Sequence, residues 1–271
     1  MTKVALSGAG GNMGRILRVE LPKRGVDLRS AGGRTPLEPL HAGEDVMHGD
    51  LRDPAVVDRL LRGIDVLIHL AGTSLERPLP EIIENNLVAL HQVYEGARRN
   101  QVRRIVFASS NHAFGMNSVK DKLKLDAPFR PDGFYGLSKV WGEAMARMYW
   151  DKHGIEGISV RIGTAMGKPP ENLRHLSTWF GTEDLLQLMM RCIEVPDIGY
   201  MAVWGVSNNT RSYWDNAGAE KLGFKPTQNS EDFAAEILTK PNPLSPIAQQ
   251  YQGGEFLTQD FTPFDQRPHR T

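Results

Sequence analysis

The 271-residue chain is expected to fold as an α/β protein, a Rossmann-type doubly wound parallel sheet with a small C-terminal substrate-side region. Three observations predict this. Short apolar runs alternate with amphipathic ones as far as residue 165, the mark of strand–helix units with right-handed crossovers. The runs at 66–70 and 104–108 are apolar except for His69 and Arg104, as in strands buried on both faces. A glycine-rich turn, Gly8-Ala-Gly-Gly11-Asn-Met-Gly14, follows the first run directly and opens a helix.

In chain order, residues 4–7 read as the first strand and 13–21 as the helix after it. Strands are expected at 26–31 and 45–47, a helix at 54–62, and a buried strand at 66–70. A long helix over 80–100 leads to the strand at 104–108. Residues 134–153 carry helical spacing, with Val140, Ala144 and Met148 on one stripe. The strand at 157–162 ends the regular alternation. Beyond it, 182–195 reads as a helix and 201–204 as a strand, whereas 241–271 is polar, proline-rich and without period. The chain is thus divided into a dinucleotide-binding unit, 1–164, and a smaller region, 165–271, packed over the sheet's C-terminal edge as one compact body.

Bulk properties narrow the function classes. The 32 basic and 32 acidic residues cancel, and no basic block suggests nucleic acid or a membrane surface. One cysteine, Cys192, rules out an intrachain disulfide framework. The N-terminus lacks a leader's charged and apolar regions, and no apolar run approaches membrane-spanning length. A cytoplasmic location is expected, and no metal.

The glycine turn sits where phosphate binding requires it. Glycines let backbone N–H groups approach a pyrophosphate, and the helix N-terminus adds partial positive charge. Gly8, Gly11, Asn12, Met13 and Gly14 are therefore candidate cofactor residues. Asp50 and Leu51, after the third strand, are expected to face an adenine. Leu70, Ala71 and Gly72, after the fourth, would line the dinucleotide path. Asn86 and Ile162 complete the candidate cofactor set. Where an NAD enzyme places a ribose-binding acid, this chain reads Ser30-Ala-Gly-Gly-Arg34. Arg34 could instead fork onto a 2′-phosphate, so NADP, or use of both cofactors, is favoured over strict NAD.

Tyr135 and Lys139 lie four apart on one helical face, and Ser110 precedes the tyrosine by 25 residues. Alone, the tyrosine could be a packed core residue. Following a glycine turn, the three suit oxidation of an alcohol or hemiacetal. The phenol titrates near 10 when unperturbed. The Lys139 ammonium and a cationic nicotinamide would favour the phenolate, and Ser110 would orient the reacting oxygen. Tyr135 and Lys139 also count among the cofactor contacts.

These motifs resemble the extended short-chain dehydrogenase/reductase family. Within it the chain is most similar to the uronate dehydrogenases, through Phe107-Ala-Ser-Ser-Asn-His112, Arg130-Pro-Asp-Gly-Phe-Tyr-Gly-Leu-Ser-Lys139, Leu176-Ser-Thr-Trp-Phe180 and Gln252-Gly-Gly254. The resemblance implies oxidation of D-glucuronate or D-galacturonate at C1 to the aldarolactone, with reduction of nicotinamide. It implies substrate contacts at Ser74, Ser110, Asn111, His112, Thr164 (serine in the family) and Arg174. A loop arginine can clamp a carboxylate, and Asn and His can reach sugar hydroxyls. Two departures matter: the family's strand-two acid is missing, and the stretch from Thr164 to Arg174 differs, with an added Lys168. An aldose or sugar-phosphate 1-dehydrogenase is the nearest alternative, with Lys168 available to a phosphate. A nucleotide-sugar epimerase is disfavoured by the short region after the Tyr/Lys helix. A non-catalytic NAD(P)-binding regulator is disfavoured by the Tyr/Lys pair itself. By analogy with the family, a homo-oligomer is expected.

Overall fold

The computed structural model describes residues 2–33 and 36–267. Seven parallel strands form one sheet in the order β3-β2-β1-β4-β5-β6-β7. They are β1 (Lys3–Ser7), β2 (Asp27–Gly32), β3 (Asp45–His48), β4 (Val66–His69), β5 (Arg104–Ser110), β6 (Glu156–Ile162) and β7 (Tyr200–Gly205). The helices are α1 (Asn12–Lys23), α2 (Pro54–Leu61), α3 (Leu79–Ile82), α4 (Ala89–Arg99), α5 (Phe134–His153), α6 (His175–Thr178), α7 (Thr182–Glu194) and α8 (Ala234–Ile237). Strand order reverses between β1 and β4, where an open α/β sheet opens its ligand crevice at the strands' C-terminal ends.

Two apolar layers sandwich the sheet. One packs α1 and α7 against it through Leu17, Leu21, Leu185 and Leu188. The other packs α2, α4 and α5 through Val57, Leu61, Val93, Ala97 and Ala146. The central strands are buried on both faces, which explains their continuous apolar texture.

Three details depart from the sequence expectations. The helix expected over 80–100 is interrupted by a π-helical stretch, Ile83–Val88, between α3 and α4. One extra residue per turn there lets Asn86 reach across to the loop after β4. The stripe Val140, Ala144 and Met148 is not the inward face of α5: Ala144 and Met148 are exposed and Val140 half-buried. The face that meets the sheet carries Lys139, Gly142, Glu143 and Ala146, so polar residues with buried partners displace the apolar stripe. Third, α7 and β7 come from beyond residue 164 yet belong to the sheet's own layers. The buried Arg104 anchors the end of α7 through the carbonyls of Cys192 (2.8 Å) and Val195 (2.6 Å) and bonds Glu156, which in turn accepts from Ile198 and Gly199 ahead of β7. What remains over the strands' C-terminal ends is a set of short helical turns and loops from 164–181 and 206–267.

Candidate active site

The turn after β1 is built from main chain. Gly8 has φ +74°, and a Cβ there would approach Ala71 N to 2.8 Å. A Cβ on Gly14 would collide with the Gly8 carbonyl. Only glycines allow this closeness of turn, helix α1 and the β4 loop. Gly11 caps α1 without a side-chain bond, and the first turn carries no acid. The N-terminus of a 12-residue helix is thereby left open to an anion, and the cradle fits a dinucleotide's pyrophosphate.

Around it lie the other candidate cofactor residues. Leu70 N donates to Ser7 O (3.2 Å), bringing Ala71 and Gly72 beside the turn. Asn86 is turned to structural use: its oxygen accepts from Thr73 N (2.7 Å) and its nitrogen donates to Thr73 O and Ser138 Oγ, both 3.0 Å. It braces the β4 loop against α5. Asp50 is ion-paired with Arg52, which also reaches Glu84 (3.1 Å). Leu51 packs against the apolar layer under α2. Arg34 lies outside the described residues.

Beyond β5 the site is made of side chains. Ser110 ends β5 and caps the following turn by accepting from His112 N (3.2 Å). Its hydroxyl stands near enough to the Tyr135 phenol to favour the phenolate. Burial pushes that phenol up to about 12; Ser110 acts against the rise and the Asp132 charge adds to it. Lys139 Nζ donates to Ala108 O (2.8 Å) and sits 5.4 Å from the Tyr135 ring centroid. Burial lowers its ammonium to about 8. One strand away, His69 is bonded to Ser7 Oγ (2.8 Å), and burial, reinforced by Lys139, lowers it to about 3. Behind Ser110, Ser109 Oγ donates to Glu143 (2.6 Å), which Arg161 grips at 2.9 Å, locking β5, β6 and α5 together.

Asn111 and Arg174 meet directly. With its amide oriented by its partners, Asn111 donates to Ile162 O (3.0 Å) and accepts from Arg174 Nη2 (2.8 Å). Arg174 Nε donates to Gln252 O (2.9 Å). Burial disfavours its charge while Tyr213 and Asp132 support it. Thr164 bonds Thr178 through both hydroxyls (2.8 Å). Ser74 is exposed in the β4 loop. Lys168 is paired on the surface with Glu171 (2.6 Å).

Four residues of this neighbourhood were not singled out from the sequence. Asp132 Oδ2 bonds His112 Nδ1 (2.7 Å), and Phe256 stacks on the His112 ring at 3.9 Å. Gln252, with no exposed surface, also bonds Trp214 Nε1 and the carbonyls of Ser118 and Asp121, all at 2.9 Å. Glu76 accepts from the N–H groups of Phe134 (2.8 Å) and Tyr135 (2.9 Å), capping α5 from a distant loop. Asp132 and Gln252 stood inside motifs already noted; nothing local marked Phe256 or Glu76. A cavity of about 750 Å³ opens elsewhere, among Arg103, Trp150, Pro196 and Lys221 at the strands' N-terminal ends, away from all these groups.

A parallel sheet with a glycine cradle at its switch point defines a dinucleotide-binding α/β protein. The chain belongs to the NAD dependent epimerase/dehydratase family, whose model matches residues 4–213. It is 40% identical over 256 residues to the uronate dehydrogenase of Pseudomonas syringae pv. tomato, covering 94% of this chain and 93% of that one. An NAD-dependent glucose-6-phosphate dehydrogenase of Haloferax volcanii is 33% identical, with 86% and 96% covered. Among solved structures, a tyrosine-to-alanine variant of the Agrobacterium tumefaciens uronate dehydrogenase complexed with NAD superimposes with a TM-score of 0.90 at 39% identity, covering 95% and 97%.

Proposed function

We propose that the protein is an NAD(P)-dependent dehydrogenase that oxidises a hexuronate, D-glucuronate or D-galacturonate, at C1 to the aldarolactone. The observation that carries the substrate class is Arg174. It is half-buried and bonded to Asn111, the residue next to Ser110, so a carboxylate clamp lies one residue from the group that would orient the reacting oxygen. Burial disfavours the guanidinium's charge, which makes an incoming carboxylate a strong partner. The likeness to uronate dehydrogenases over 94% of the chain supports the same reading.

In this reading NAD(P), when bound, accepts the hydride from C1 and brings positive charge near the phenol. Tyr135 takes the proton of the anomeric hydroxyl, Ser110 orients that oxygen, and the Lys139 ammonium favours the phenolate. Gly8, Gly11, Asn12, Met13 and Gly14 hold the pyrophosphate, with Ala71 and Gly72 along the path and Asp50 and Leu51 toward the adenine. Asn111, His112, Thr164 and Ser74 take sugar hydroxyls. NADP is proposed as the preferred cofactor, because β2 ends in Ala31-Gly32 with no acid, and Gly33 and Arg34 follow in the sequence. An aldose or sugar-phosphate substrate is less well supported, since Lys168 is already paired with Glu171. A homo-oligomer is proposed through exposed Leu79 and Ile83, on segments that pack against α5, and exposed Phe134 and Leu137 of α5. The one cysteine, Cys192, is buried and free, in keeping with a proposed cytoplasmic location.

Initial rates with glucuronate, galacturonate, glucose and glucose 6-phosphate, each with NAD and NADP, test this directly. Uronates should give the highest kcat/KM; a higher value for glucose or its phosphate overturns the substrate assignment. Arg174→Ala should raise KM for uronates about 10- to 100-fold, the worth of a lost charge-assisted pair. An unchanged KM removes Arg174 from the carboxylate role.

A further inference from the structure

Asp132 is an unusual residue to find here. Its carboxylate has no exposed side-chain surface, and Oδ1 has no hydrogen-bond partner. A Cβ on Gly115 or on Gly253 would strike it, and one on Gly136 would come within 3.0 Å of Oδ1. The main chain thus closes around the carboxylate from three segments. Its one bond is to His112 Nδ1. It also stands near enough to Tyr135 to oppose the phenolate, so its charge does not serve the proposed base.

The His112 ring is fixed on every side the structure describes. Asp132 holds Nδ1, Phe256 covers one face at an interplanar angle of 23°, and Tyr135 lies edge-on at 5.7 Å. A carboxylate accepts but cannot donate, so the proton of a neutral imidazole must sit on Nδ1. That leaves Nε2 bare. We propose that Asp132 is a positioning residue that fixes the Nδ1–H form of His112, so that Nε2 accepts from a sugar hydroxyl beside the reacting carbon. The same logic holds wherever a carboxylate sets the tautomer of a working histidine.

The dyad thereby sorts the two ends of the substrate. A bare nitrogen attracts a hydroxyl and repels a carboxylate, whereas Arg174 does the reverse. The proposal rests on the sugar-oxidising reading above, but its test does not need the sugar to be a uronate.

Nitrogen-15 spectra of the full chain, labelled at histidine, read the tautomer before any substrate is added. A pyrrole-type Nδ1 with a pyridine-type Nε2 at His112 is expected in the neutral ring, assigned by its loss in His112→Gln. The opposite tautomer overturns the proposal. The second arm is a double-mutant cycle, with the fastest sugar from the substrate panel as probe. Asp132→Asn and His112→Gln should each lower kcat/KM about 10- to 100-fold, the usual cost of removing an outer partner of a working group. Asp132→Asn added to His112→Gln should cost less than twofold more, because the carboxylate acts only through the ring. Equal losses in both backgrounds make Asp132 a packing residue and sink the idea. Asp132→Ala is run in the same cycle and must show the same coupling. If no uronate is oxidised but another sugar is, the substrate assignment falls while both arms still read the dyad.

Discussion

On the side of the cleft formed by β1 to β4, the surface available to a ligand is mostly main chain. Gly8, Gly11 and Gly14 bring the turn, α1 and the β4 loop within contact, and no side chain caps the helix. Beyond β5 the surface is a web of bonded side chains: His112 to Asp132, Asn111 to Arg174, and Arg174 onward to the Gln252 main-chain carbonyl, with Ser110 beside Tyr135. In the proposed reading the first side recognises what every dinucleotide shares, a pyrophosphate, and backbone N–H groups suffice for it. The second must tell one sugar from another, which calls for donors and acceptors of fixed direction. The two sides should therefore fail in opposite ways when mutated.

Removing the phenol oxygen is expected to have the largest effect. Tyr135→Phe should lower kcat by about 10²- to 10⁴-fold, the range of general acid–base catalysis, with cofactor affinity within about threefold of wild type. Stopped-flow and cofactor titration by fluorescence quenching separate the two. A variant with more than a tenth of wild-type kcat would remove Tyr135 from the base role.

On the glycine side the damage should come from adding atoms. Gly14→Ala puts a methyl against the Gly8 carbonyl and Ala9, and main chain cannot swing away. A loss of about 1–3 kcal/mol of stability and at least tenfold in cofactor affinity is expected. Asn12→Ala, which only trims a side chain, should change neither by more than twofold. If Asn12→Ala proves as harmful as Gly14→Ala, the main-chain description of this side fails.

This contrast also explains how far the sequence could be read. The seven strands and the long α5 were legible because apolar runs and helical spacing are local signals. The glycine turn was legible because its spacing is dictated by one small patch of backbone. Ser110, Tyr135 and Lys139 stand within 30 positions of one another on consecutive elements. The substrate side was legible only in part, since its bonds join residues far apart in the chain. Arg174 and Gln252 are 78 positions apart, and Glu76 and Tyr135 are 59 apart. No periodicity records such pairs. The α5 stripe misled for a related reason: Lys139 and Glu143 face inward because Ala108, Ser109 and Arg161 supply partners, and none of those bonds is visible from α5 alone.

Lys139 shows what a buried ammonium costs the fold. Burial lowers its ammonium from 10.5 to about 8. Below pH 8 the residue is charged in both folded and unfolded chains, and the burial penalty is present in full. Between pH 8 and 10.5 the folded chain releases its proton first, so stability rises with pH through that window. Lys139→Met, which abolishes the charge, should raise stability at pH 7 by about 1–3 kcal/mol while removing activity. Its advantage over wild type should shrink from pH 8 to pH 9.5 in urea denaturation. A constant advantage, or none, would show that the lysine charge is well accommodated without cofactor.

The smallest effect expected concerns the join between the two sides. Two residues make it. Asn86 ties the β4 loop to Ser138, and Glu76, from the same loop, receives the first N–H groups of α5, Tyr135 among them. Glu76 brings negative charge to a 20-residue helix's N-terminus, where each such charge contributes about 0.3–1 kcal/mol. Glu76→Gln keeps the shape and one acceptor but loses the charge and one of the two bonds. Stability should fall by about 1 kcal/mol, and kcat by about two- to fivefold as the phenol drifts from Ser110, with KM for cofactor unchanged. Loss of cofactor affinity instead would mean that Glu76 serves the glycine side by holding the β4 loop. Unchanged stability and kcat would leave Asn86 as the sufficient join, and Asn86→Ala should then show both losses alone.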